Sequence, residues 1–202
     1  VALAVYAMNL VAIGERLARR TGRWLKADLL LFHASALGLF GGLYAIFDPV
    51  ATASMPALAL ALAAWHGLLT WFWRGTSEEA GLNSLAAAFA MLGFAIGLQF
   101  DLWWSVVGWA VEAAAIVWVG LKSRREWMRL GGALLMAWAV LLLVRLGFFE
   151  APAGLSPVLN ARVGATMAVV AVCYVLALLY KRLAGHAPGR AGLEIAALYV
   201  VG

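Results

Sequence analysis

The sequence predicts an all-α, polytopic transmembrane helix bundle, with six full spans and two truncated ones. Three observations carry that expectation. The first is composition: 65% of the residues are hydrophobic and 12% charged, against about 45–50% and about 25% in a soluble domain. The surplus of apolar side chains exceeds what a core can absorb, so it faces lipid. The second is the recurrence of uninterrupted apolar runs long enough to cross a bilayer as helices, separated by short polar connections. The third is charge placement: alternate connections hold 13 of the 15 Lys and Arg residues, the bias expected of cytoplasmic loops.

Taken in order, residues 1–13 are an apolar half-span, followed by a basic connection, 14–26, with Arg16, Arg19, Arg20, Arg23 and Lys26. Residues 27–47 form the first full span. Asp48, Pro49 and the small residues up to Pro56 predict a turn, with Pro56 in the first turn of the next helix, where its missing N–H costs nothing. Spans follow at 57–73 and 80–98, joined by the short polar connection 74–79. The next span, 104–121, ends in a basic turn, 122–129, and leads to a span at 130–149. A Pro- and Gly-containing loop, 150–162, precedes the span 163–180. A basic connection, 181–190, and a last truncated run complete the chain. Both cut runs predict an internal piece of a longer polytopic protein, here a single transmembrane region over 1–202. Barrel strands would need alternating segments of about ten residues, and these are absent.

Residues 99–129 organise the rest. A polar corner, Gln99 and Asp101, leads to Trp103 and Trp104, which suit the headgroup zone, then to an apolar run broken by Glu112. The run closes on Lys122, Arg124, Arg125 and Arg129, which orient it with the basic end in the cytoplasm. The expected setting is a bacterial inner membrane, with connections 14–26, 74–79, 122–129 and 181–190 cytoplasmic. The net charge of +5 falls in short loops between apolar runs. It therefore predicts an anionic leaflet as the partner, not nucleic acid. Cys173 is the sole cysteine, which excludes an internal disulfide and a cysteine metal cluster.

Few residues inside the spans can carry chemistry. A carboxylate in mid-span costs about 3 kcal/mol on insertion scales, so Glu112 is expected to face protein or water. Arg145, on the following antiparallel span, is a candidate partner within reach. The alternative is a buried group that fixes packing. His33 and His66 lie at similar distances from basic connections on neighbouring antiparallel spans, so they predict a shared depth. That placement suits a helix–helix hydrogen bond, a proton or ligand site, or two axial ligands of a b-type haem. The small-residue pairs Gly38/Gly42 and Gly93/Gly97 predict close helix packing within the chain. No phosphate-binding loop, nucleophile elbow, HExxH or dinucleotide fingerprint is present, so an enzyme is not the expected class, and no cofactor is implied beyond the haem alternative.

The stretch LQFDLWWSVVGWAVEAAAIVWVGLKSRREWMRLGGALLMAWAVLLL, within 56–149, resembles a family of large bacterial predicted membrane proteins catalogued as a domain of unknown function. The carrying residues are Gly108, Trp109, Ala110 and Glu112, then Trp118, Gly120 and Leu121, then Gly131 and Gly132. The resemblance implies a long array of spans and names no activity. From the residues themselves, three functions are expected. The first is a carrier or channel-like component for an envelope or small polar substrate, with Glu112 and Arg145 lining the path. The second is a scaffold or accessory subunit working with other membrane proteins. The third is a redox subunit with haem between His33 and His66.

Overall fold

The computed structural model describes residues 2–18, 26–149 and 161–183. Most of the predicted loop 150–162, most of the basic connection 14–26, the later part of the connection 181–190 and the last truncated run lie outside the described residues. The described residues form seven α-helices: α1 (Ala2–Ala18), α2 (Lys26–Ala51), α3 (Met55–Trp73), α4 (Glu78–Gln99), α5 (Leu102–Lys122), α6 (Glu126–Phe149) and α7 (Ala161–Leu183). An all-helical chain follows from the solvent: in lipid each backbone N–H and C=O must pair within its own segment.

Five of these helices, α3 to α7, are long and apolar enough to cross a membrane. The sixth predicted full span, 27–47, falls in α2, whose apolar stretch among the described residues is Leu31–Ile46. The turn predicted at Asp48 and Pro49 is also displaced. The helix α2 continues through both to Ala51, and one 3₁₀ turn, Thr52–Ser54, makes the connection. Pro56 does fall in the first turn of α3.

The chain divides into two compact units, Val1–Leu98 and Gln99–Gly202. In the first, α1 and α3 pack on α2. One cluster joins Phe40, Ala59, Ala63, Met91 and Ala95, with the rings of Phe40 and Phe94 stacked at 4.9 Å. A second joins Phe32, Trp73, Ala80 and Ala87. Ser77 starts α4: its hydroxyl accepts the Ala80 N–H at 3.2 Å, and Glu78 and Glu79 in the first turn complement the helix dipole.

In the second unit, α5 packs along α6 and α7 around Val106, Ala110, Ala113, Val117, Met136, Ala139, Val169 and Cys173. Asp101 caps α5 by accepting the Trp104 N–H at 3.1 Å. The other end closes by a Schellman motif: Arg125 N–H to Gly120 C=O at 2.9 Å, and Arg124 N–H to Leu121 C=O at 3.3 Å. The left-handed position, usually glycine, is held by Arg124 at φ 56°.

Close helix approach is seen at two glycines other than the predicted pairs, Gly132 and Gly120. A Cβ on Gly132 would stand 2.7 Å from Val117 Cγ2 and 2.8 Å from the Ala113 carbonyl oxygen. One on Gly120 would stand 2.8 Å from Arg129 Cγ and N. These glycines let the α5 and α6 backbones meet. By contrast, Gly38 has open space where a Cβ would stand, Gly97 is exposed, and Gly42 and Gly93 are only half-buried.

Candidate functional site

Inside the apolar first unit, all four helices contribute polar or aromatic groups to one level. From α1 comes Tyr6, 4% exposed, and from α3 comes His66, 1% exposed. The Tyr6 hydroxyl lies 3.2 Å from His66 Nε2, with the rings edge to face at 5.7 Å. The indole N–H of Trp65 donates to the same hydroxyl at 3.1 Å. Indole is a donor only, so the Tyr6 oxygen accepts there; between Tyr6 and His66 the direction follows the imidazole tautomer. His66 Nδ1 is buried and has no hydrogen-bond partner.

The helices α2 and α4 supply a second polar contact. Asn83 is buried, and its side-chain N–H donates to the Glu79 carbonyl at 2.8 Å. This fixes the amide orientation, so Asn83 Oδ1 accepts from His33 Nε2 at 3.1 Å. The ring of Phe32, fully buried, joins the two contacts: it meets His33 at 5.4 Å and His66 at 5.6 Å, edge to face in both cases. Ser84, next to Asn83, is fully buried, and its Oγ has no hydrogen-bond partner. The α3–α4 hairpin sets its depth. Gly81 stands against the Thr70 carbonyl, and four residues inward on each helix, about 6 Å, His66 lies beside the level of Ser84. Two buried polar atoms without protein partners thus share one level.

The equal depth predicted for His33 and His66 agrees with this arrangement, but the geometry does not suit haem. Each Nε2 is already engaged, with Asn83 and with Tyr6, and the Phe32 ring packs against both imidazoles. Bis-imidazole ligation would need both nitrogens turned toward one iron across a porphyrin plane. Among the described residues no group of three or more His, Cys, Asp or Glu stands together as a metal site.

The second unit treats its two predicted residues differently. Glu112 is 4% exposed, between Ala110 and Ala113, which are fully buried. Arg145 lies on the exposed face of α6. The Gly132 and Gly120 contacts fix the α5–α6 register, placing Glu112 level with Met136 and Arg145 level with the Trp103–Trp104 end. That separates them by about nine residues, roughly 13 Å along the axis. The expected pair therefore does not form. The reason is that α6 runs past Trp104 to Phe149, so the two outer helix ends are not level.

Tyr6, Trp65, Asn83 and Ser84 were not singled out by the sequence. Asn83 and Ser84 did carry a signal, two polar residues inside an apolar run at the depth of His66. Tyr6 carried none, since its role depends on where α1 docks. No family model matches the chain, and neither the curated proteins nor the solved structures searched contain a match to it.

Proposed function

We propose that the chain is a carrier or channel-like component of a bacterial inner membrane, handling a small polar solute at the His66–Ser84 level of its first unit. One observation carries this reading. An apolar, lipid-facing helical unit gathers Tyr6, His33, His66, Asn83 and Ser84 from four helices at one depth and leaves His66 Nδ1 and Ser84 Oγ without protein partners. Polar groups in a membrane interior are costly and mark solute or ion pathways. Each such atom costs a packed structure about 1–3 kcal/mol, and a bound polar solute would offset that cost. The charge bias supports an orientation with connections 74–79 and 122–129 in the cytoplasm. The likeness to the family of long predicted membrane proteins is part of the same proposal.

The test is thiol accessibility in native membranes. With Cys173 changed to Ala, Ser84→Cys should react with a small hydrophilic methanethiosulfonate at least about tenfold faster than the wild-type protein reacts at its buried Cys173, because a solute pathway opens the enclosed Ser84 to water and reaction requires an exposed thiolate. Equal rates would remove the solute-pathway reading.

A scaffold role is the second reading, favoured by the enclosure of Glu112 among fully buried alanines beside the close α5–α6 contact. It predicts an unreactive Ser84→Cys together with a loss of assembly in Glu112→Gln.

A further inference from the structure

We infer that the solute class handled at the His66–Ser84 level is small, uncharged and hydroxyl-bearing, a polyol in place of an ion. The inference rests on the pathway reading above and adds the chemistry of the occupant. Its first ground is where the two open atoms stand. On α4, Ala80 and Ala87 share one cluster with Phe32 and Trp73. Ser84 lies four residues after the first and three before the second, so all three are on one helix face. That face looks toward the Phe32 ring, and the same ring meets His66 edge to face at 5.6 Å. Ser84 and His66 therefore border one aromatic side chain, and their Oγ and Nδ1 atoms are both buried without protein partners.

The second ground is the charge at that level. Among the described residues of the first unit, Asp, Glu, Lys and Arg stand only toward the helix ends. The nearest along the chain are Asp28, five residues before His33, and Glu79, five before Ser84. Each is about 7.5 Å away along its helix. An ion stripped of water needs a counter-charge or a ring of carbonyl dipoles. Among the described side chains at this level the one carbonyl, Asn83 Oδ1, already accepts from His33. A neutral solute needs neither. The third ground is the type of open atom. A hydroxyl both donates and accepts, and an imidazole nitrogen does one or the other by tautomer. Each oxygen of a polyol does both, so it can complete either tautomer and the serine as well. A carboxylate solute only accepts and an ammonium only donates. The Phe32 ring supplies the apolar wall that the carbon chain of such a solute packs on.

The experiment uses the whole chain in liposomes, with glycerol as the probe and potassium and chloride as the ionic comparison. Glycerol entry is read by stopped-flow light scattering, and ion flux by a voltage-sensitive dye. Wild-type protein should raise glycerol entry well above that of empty liposomes and leave potassium and chloride flux at the empty-liposome level. Ser84→Ala removes the hydroxyl and keeps the helix, and should slow glycerol entry about fivefold, the scale of one lost hydrogen bond. Gly38→Ala, which meets open space, should leave entry unchanged and controls for reconstitution. Glycerol entry no faster than in empty liposomes, entry unaffected by Ser84→Ala, or an ion flux that Ser84→Ala lowers would each overturn the inference. The pathway reading fails separately: it falls if Ser84→Cys is unreactive, and stands if that thiol reacts while glycerol does not pass.

Discussion

At the scale of single residues, the buried polar level and one strained backbone position make separate claims. The Tyr6 hydroxyl serves both Trp65 and His66, so Tyr6→Phe removes the partner of the Trp65 indole N–H and of the buried His66 Nε2. Intramembrane hydrogen bonds average well under 2 kcal/mol, so the expected loss is about 1–2 kcal/mol, read as a lower thermal midpoint in detergent. An unchanged midpoint would mean that the contact is not formed. Arg124 offers the opposite sign. It occupies the left-handed position of a Schellman turn with φ 56°, a conformation that suits glycine. Arg124→Gly should stabilise the α5–α6 hairpin by up to about 1 kcal/mol, as relief of αL strain outweighs the added chain freedom. A lower midpoint would show that the guanidinium contributes contacts that exceed the strain.

At the scale of helices, close approach is concentrated where α5 meets α6. Gly132→Ala would drive a methyl into Val117 and the Ala113 carbonyl, with backbone on one side and no room to yield. The expected cost is about 1–3 kcal/mol, the range for overpacking. Gly38→Ala meets open space and should be neutral or stabilising by up to about 1 kcal/mol, from helix propensity. Paired thermal melts in one detergent check both. Equal destabilisation would mean that Gly38 does pack against something. From the sequence the two glycine classes look alike, because spacing along one helix says nothing of which face meets a neighbour. Helix existence was legible, since long apolar runs in lipid have only one way to satisfy their backbones. Helix ends were less so: α2 passes through Asp48 and Pro49, where turn chemistry predicted a stop.

At the scale of the molecule, the alternation of oily runs and basic connections predicted a membrane-embedded helical chain, and five apolar spans agree with it. The shared depth of His33 and His66 was readable because both are counted from nearby basic connections. The partners of those histidines were not, because Tyr6, Asn83 and Ser84 join them through interhelical register, which no single span encodes. The proposed Glu112–Arg145 pair failed for the same reason, as a small offset between helix ends moved the two about nine residues apart. Every functional proposal rests on helices that cross a bilayer with their basic turns on one side. The direct measurement is labelling of single cysteines by a membrane-impermeant thiol reagent in spheroplasts, using Gly75→Cys, Ser123→Cys and Phe100→Cys in a Cys173→Ala background. Phe100→Cys, at the exposed corner before α5, should label at once, while Gly75→Cys and Ser123→Cys should label only after the membrane is opened. Labelling of Ser123→Cys and Phe100→Cys from the same side would contradict it.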